Sequence, residues 1–218
     1  MLSQAEENYL KAILKLSNQN QRKVSTNEIA NEMDTKASSV TDMIQKLCNK
    51  KYVLYEKYQG VKLTDSGRKY ALNIIRKHRL WEVFLVEHLN FNWDEIHEIA
   101  EQLEHIQSPE LTARLDQFLN FPKYDPHGDP IPNEEGEILK VNEKLLSELS
   151  PNQKGVIIGV KDSDAGFLQY LDSIGIHLGC EIEFVKKYSY DSSVEILIKG
   201  EKRTLSQQVT KNLSIAVS

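Results

Sequence analysis

The chain has 218 residues, of which 40% are hydrophobic and 27% charged, with a net charge of −5; this is ordinary for folded protein and gives room for two or three small domains. No apolar run approaches the roughly 20 residues of a membrane span, and the acidic opening Met1-Leu2-Ser3-Gln4-Ala5-Glu6-Glu7 lacks the basic and apolar regions of a signal peptide, so a cytoplasmic address without a membrane partner is expected. Cys48 and Cys180 stand too far apart for a thiolate cluster, and two cysteines make no disulfide framework.

Charge is unevenly spread. Residues 1–72 hold 12 Lys+Arg against 8 Asp+Glu, and the remainder holds 15 against 24. A basic reader joined to an acidic sensor has this asymmetry. Residues 5–17 carry Tyr9, Leu10, Ile13, Leu14 and Leu16 near helical spacing. After a polar loop, Ser25 precedes Glu28 by three positions, the signature of a capping box at a helix start. This short helix, with Ile29, Ala30 and Met33, breaks over 34–37. A second runs from about Ser38 to Asn49, with Val40, Met43, Ile44 and Leu47 on one face. Two short helices so joined read as a helix-turn-helix. Residues 52–57 are strand-like, Tyr58-Gln59-Gly60 supplies a turn and Val61-Lys62-Leu63 returns, which makes a wing.

Thr64-Asp65-Ser66-Gly67 opens a long amphipathic helix reaching about His88. Asn92 to Gln107 reads as a further helix, with Ile96, Ile99, Leu103 and Ile106 in register, and Pro109 opens another. Their apolar surface exceeds what so small a unit can bury, so packing on a second copy is expected. Residues 121–137 hold four prolines and no apolar periodicity, and read as a linker or structured loop. Short strands follow over 155–160, 181–185, 194–198 and 213–217, consistent with a small β-barrel of about 70 residues.

Two groups of residues carry chemistry. Ser38, Ser39, Thr41 and Asp42 open the second helix of the helix-turn-helix, where short polar side chains reach base edges. Lys36, Lys46, Lys50, Lys51 and Lys57 surround it and suit phosphates, so binding to double-stranded DNA is expected to depend on salt. His78 and Glu82 share one face of the long helix, four positions apart. His97, Glu101, Glu104 and His105 form a polar stripe on the next. Imidazole beside carboxylate, with no thiolate, suits Mn²⁺, Fe²⁺ or Zn²⁺. Helix pairs commonly house such sites.

These residues resemble the diphtheria-toxin-repressor family of metal-dependent regulators, including its manganese-responsive branch. The resemblance lies in Glu7-Asn8-Tyr9-Leu10, Ser38-Ser39-Val40-Thr41, Tyr55-Glu56-Lys57-Tyr58-Gln59-Gly60, Leu63-Thr64-Asp65-Ser66-Gly67, Arg76-Lys77-His78-Arg79-Leu80-Trp81-Glu82, Glu104-His105 and His127-Gly128-Asp129-Pro130-Ile131-Pro132. It implies a mainly α fold with small β parts: a winged helix-turn-helix over 1–72, a helical metal-binding and dimerisation domain over 73–140 and an SH3-like (FeoA-like) barrel over 145–218. It also implies a homodimer that represses metal-uptake genes when Mn²⁺ or Fe²⁺ is bound, with Zn²⁺ able to substitute.

Carried over by position, one metal site would use Glu101, Glu104 and His105 with Asn8, and with His78 at or beside it. A second would use Glu82 with His78 or His97. Asp125 and His127, then Asp162 or Asp164, are the nearest ligands from loop and barrel. This chain departs from the family in two places. Manganese-type members usually have Asp at position 8, and some have Glu at position 11, where this chain has Asn8 and Lys11. Glu101 resembles the manganese type and His97 the iron type, which leaves Mn²⁺ slightly ahead. The alternatives are a winged-helix regulator that senses an organic ligand without metal, and a metal-dependent hydrolase. A reading head would have no purpose in a hydrolase, so no enzyme is expected.

Overall fold

A computed structural model describes residues 2–18, 21–56, 59–138, 143–162 and 164–217. They divide into two units. The first comprises Met1–His78, Glu101–Leu115 and Pro132–Ile138, the second Arg79–Ala100, Asp116–Ile131 and Leu139–Ser218.

Hydroxyl caps set the helix starts of the first unit. Ser3 and Glu6 exchange hydrogen bonds at the head of α1 (Gln4–Leu16), and Ser25 and Glu28 do so at α2 (Thr26–Glu32), as the sequence predicts. The recognition helix α3 (Ala37–Asn49) has no side-chain cap at Lys36. Its apolar face, Val40, Ile44 and Leu47, is fully buried with Leu10, Ile13 and Ile29. Strands β1 (Val53–Glu56) and β2 (Gly60–Leu63) pair antiparallel with Val53 opposite Leu63. Val24 adds a two-bond bridge to Val61 at 2.8 and 2.7 Å, so the wing is tied back to the start of the helix-turn-helix.

Thr64 turns the chain out of the wing. Its N–H donates to the Tyr52 carbonyl at 3.0 Å, and its hydroxyl accepts from Gly67 N–H at 3.0 Å, capping α4 (Asp65–Leu89). A Cβ at Gly67 would lie 1.9 Å from the Tyr52 carbonyl oxygen, so the wing and the first turn of α4 approach as closely as a bare backbone allows.

In the second unit, Leu85, Ile96 and Ala100 form a small core with Trp81 and Phe91 packed against it. The helix α5 (Ile96–Leu103) is shorter than the predicted 92–107. At its head Glu95 takes the Asn92 N–H at 3.0 Å and holds a turn. The Trp93 indole N–H donates to Asp172 at 2.9 Å. The polar stripe therefore ends beyond the helix, with Glu104 and His105 on a turn. The helix α6 (Pro109–Phe118) follows.

The C-terminal part contains β3 (Glu143–Leu145), β4 (Lys154–Val160), α7 (Ala165–Ser173), β5 (Glu181–Lys187), β6 (Val194–Ile198), β7 (Glu201–Leu205), α8 (Gln207–Thr210) and β8 (Leu213–Val217). The six strands form one antiparallel sheet in the order β3-β8-β4-β5-β6-β7, over a core that includes Ile157, Leu168, Phe184 and Ile196. β7 went unpredicted because four of its five residues are polar and exposed, as suits an edge strand. Among the described residues no helix is long and apolar enough to cross a membrane.

Gly67→Ala forces the Tyr52 carbonyl aside. Overpacking of this kind costs about 1–3 kcal/mol, so thermal unfolding of the variant is expected to begin several degrees below that of the unmodified chain. Unchanged unfolding would contradict the close approach.

Candidate metal centre

Glu82, Asp125 and His127 each offer a ligand atom, and these atoms lie within 4.8 Å of one another. All three residues are at most 5% exposed. Glu82 comes from α4. Asp125 and His127 come from the proline-rich segment, which here forms an ordered turn rather than a passive linker. Asp125 Oδ1 accepts from the His127 and Asp129 N–H groups at 2.8 and 2.9 Å, and the Gly128 N–H donates to the Asp125 carbonyl at 3.0 Å. Arg79 clamps the turn from outside. Its guanidinium donates to Pro130 O at 2.6 Å and Asp129 Oδ2 at 2.9 Å, and its Nε lies 3.3 Å from Asp125 Oδ2.

The turn lies directly on β4. Val160 N–H donates to the His127 carbonyl at 2.9 Å. Gly128, at φ +85°, passes so close to Ile158 that a Cβ would lie 1.6 Å from its carbonyl oxygen, which only glycine permits.

A neighbouring carbonyl fixes the tautomer of His127. Its Nε2 lies 2.9 Å from Trp93 O, and a carbonyl oxygen only accepts, so Nε2 carries the proton. In the neutral ring Nδ1 then presents its lone pair, 3.7 Å from Glu82 Oε1. Trp93 also stacks on the imidazole, with ring centroids 6.2 Å apart. On the other side of Glu82, His97 Nδ1 lies 3.6 Å from the same oxygen, and the His97 side chain is 53% exposed. Two donors bound to one small cation at about 2.0–2.2 Å stand roughly 3–4 Å apart, so both spacings fit ligands around an ion. Carboxylate and imidazole donors without thiolate suit Mn²⁺ or Fe²⁺.

The electrostatics point the same way. Burial, with the Glu82 and Asp129 carboxylates adding to it, pushes Asp125 up to about 7, although Arg79 and His127 oppose the shift. For His127 burial acts downward, but Glu82 and Asp125 outweigh it and the imidazole ends above its usual range. The ionised form of Asp125 is thus disfavoured, and positive charge placed beside it would favour that form.

Asp162 stands two residues beyond the bond from Val160 to His127. Half-buried, it accepts from Asp164 N–H at 3.0 Å. Asp164 is exposed and is engaged as the cap of α7, taking the Phe167 N–H at 3.2 Å.

The first unit gathers the other predicted ligands differently. Glu104 is fully buried, and its Oε2 meets His78 Nδ1 at 2.7 Å. Its two oxygens also accept from Lys11 Nζ at 2.8 and 2.9 Å, and the same ammonium reaches Glu101. Burial pushes the Glu104 carboxyl up, but His78 and Lys11 together hold it below its usual range. His105 Nδ1 meets Glu7 Oε2 at 2.6 Å, and Glu7 Oε1 accepts from Tyr70 and Gln107, each at 2.8 Å. Among the described residues the Asn8 side-chain oxygen is buried with no hydrogen-bond partner. Sequence reasoning gave no role to Glu7, Arg79 or Trp93. A signal for Glu7 was present: it shares a helical face with Leu10 and Leu14, where burial is expected.

On α3, Ser38, Ser39, Asp42 and Lys46 are exposed and Thr41 is half-buried, its hydroxyl bonded to Ala37 O at 3.0 Å. Lys36 and Lys51 are also exposed. Lys50 pairs with Glu6 at 2.7 Å, and Lys57 lies outside the described residues.

Known families match along the chain. Residues 1–61 match the iron dependent repressor N-terminal DNA binding domain, 64–133 its metal binding and dimerisation domain and 144–217 the FeoA domain. A solved manganese-dependent transcriptional repressor in complex with manganese is 34% identical, with a TM-score of 0.85 over 98% of this chain and 100% of that one. An uncharacterized HTH-type transcriptional regulator of Methanocaldococcus jannaschii is 39% identical over 118 residues, 54% of this chain and 94% of that protein. A probable metal transport system membrane protein of Chlamydia trachomatis is 45% identical over 86 residues, 39% of this chain and 19% of its own length. The chain spans about a fifth of that relative. The N-terminal reader, the helical domain and the barrel thus occur here in the order the sequence predicts, and the chain belongs to the diphtheria-toxin-repressor family of iron- and manganese-dependent transcriptional regulators.

Proposed function

We propose that this protein is a metal-activated transcriptional repressor of metal-uptake genes that binds operator DNA as a homodimer in the cytoplasm and acts by binding alone, without catalysis. The observation that carries the reading is the buried set Glu82, Asp125 and His127, whose ligand atoms lie within 4.8 Å, in a chain that also carries an open recognition helix. His97 flanks Glu82, and Asp162 is the candidate to complete the shell. Mn²⁺ is the leading ion, with Fe²⁺ next and Zn²⁺ as a substitute.

When bound, the ion supplies positive charge that offsets two buried carboxylates. The protein's own residues do the rest. Trp93 O holds the His127 proton on Nε2, so Nδ1 stays available. Arg79 and Gly128 keep the 125–129 turn on β4. Glu82 sits on α4, and the first turn of that same helix is held under the wing by Thr64. On α3, Ser38, Ser39, Thr41 and Asp42 face bases, and Lys36 and Lys46 face phosphates, so affinity falls steeply with salt. The apolar residues Leu89, Phe118 and Phe121, each more than half exposed, supply surface for the second copy.

A gel shift with the promoter region of a metal transporter tests the reading. Mn²⁺ is expected to tighten binding about 10–100-fold over chelator-treated protein, and Glu82→Ala to remove that gain. Equal binding with and without metal would overturn it, and would favour a regulator that senses an organic ligand.

Acid has a defined effect. Asp125 must be ionised and His127 neutral to ligate, and both are shifted upward. As pH falls from 8 to 6, Mn²⁺ affinity is expected to drop up to tenfold per unit for each proton displaced, with more protons released at pH 6. Calorimetry in two buffers of different ionisation enthalpy measures this. Binding that is equally tight at both pH values would be inconsistent with ligation by these groups.

A further inference from the structure

The helical cluster of the first unit has the donors of a metal centre, and it already contains a cation. An ammonium has three N–H donors and no acceptor. Lys11 meets three carboxylate oxygens: both oxygens of Glu104, at 2.8 and 2.9 Å, and one of Glu101. Its hydrogen-bonding capacity is therefore matched by the carboxylates that a divalent ion would need. The Lys11 side chain is only 22% exposed and Glu104 is fully buried, so water screens this contact weakly. His78 occupies Glu104 Oε2 from another side. His105 is turned to Glu7, with its Nε2 left 3.8 Å from Glu104 Oε1. A divalent ion on the same carboxylates would face the ammonium at close range in a poorly screened site, so the two cations exclude one another.

We infer that the Lys11 ammonium is the resident cation of this cluster, so that each protomer takes one divalent ion, at the Glu82–Asp125–His127 centre, and α1 stays fastened to the 101–105 segment with or without metal. The count of one rests on the reading above that this centre holds the activating ion. The consequence is regulatory. A chain with two exchangeable ions can respond in two steps, whereas this one responds to a single occupancy, because its tethered cation cannot be stripped by a chelator.

The test is titration calorimetry of chelator-stripped, full-length protein with MnCl₂, comparing the unmodified chain with Lys11→Met and Lys11→Glu, each checked for folding by circular dichroism. One ion per protomer is expected for the unmodified chain, and two for at least one variant. Two ions in the unmodified chain, or no gain in either folded variant, would overturn the inference. If the unmodified chain binds none and a Lys11 variant binds one, the resident cation stands and the reading of the Glu82 centre falls. Should neither variant fold, crystals of the unmodified protein grown with Mn²⁺ decide by anomalous scattering. A single peak beside Glu82 supports the inference, and a peak beside Glu104 refutes it.

Discussion

Five carboxylates among the described residues are at most 5% exposed: Glu7 and Glu104 at 0%, Glu82 at 2%, and Asp125 and the Lys50-paired Glu6 at 5%. A buried carboxylate is tolerable only with cations or hydrogen-bond donors around it. Glu104 has Lys11 and His78, and Glu7 has Tyr70, Gln107 and His105. Glu82 and Asp125 stand in a different balance. Arg79 offsets Asp125 from one side, while the two imidazoles beside Glu82 lie at 3.6 and 3.7 Å. The upward shift of Asp125 expresses the remaining cost.

The scaffold around that centre holds an imidazole and a carboxylate in place. Asp125 spends one oxygen on the backbone of its own turn and keeps the other toward Arg79. His127 spends one nitrogen on Trp93 O and keeps the other toward Glu82. The indole that stacks on His127 is itself bonded to Asp172 on α7, so the barrel-side elements help to orient the ligand. Outer-shell partners of this kind are worth about 10–100-fold in metal affinity in comparable sites.

Much of this was legible in the sequence because it is local. The Ser25–Glu28 box, the apolar face Val40–Ile44–Leu47 and the alternation of the wing each follow from spacing within a few residues. The His and Glu stripes were visible for the same reason. Contacts that join distant positions were not. Lys11 and Glu104 are separated by 93 positions, and Glu7 and His105 by 98. No periodicity shows that a lysine will fill a site drawn as a metal centre. The predicted helix over 92–107 overran both ends because Trp93 and Glu104 have tertiary partners that outweigh helical propensity there.

What the ion answers, on this reading, is the buried carboxylate pair of Glu82 and Asp125. The most direct measurement is thermal unfolding of the unmodified chain and of Glu82→Gln, each with and without saturating Mn²⁺. The unmodified chain should gain about 5–10 °C, the scale expected for an ion at 100 times its Kd. Glu82→Gln should unfold at or above the metal-free unmodified chain and gain nothing from Mn²⁺. A Glu82→Gln protein stabilised by Mn²⁺ as much as the unmodified chain would contradict the claim.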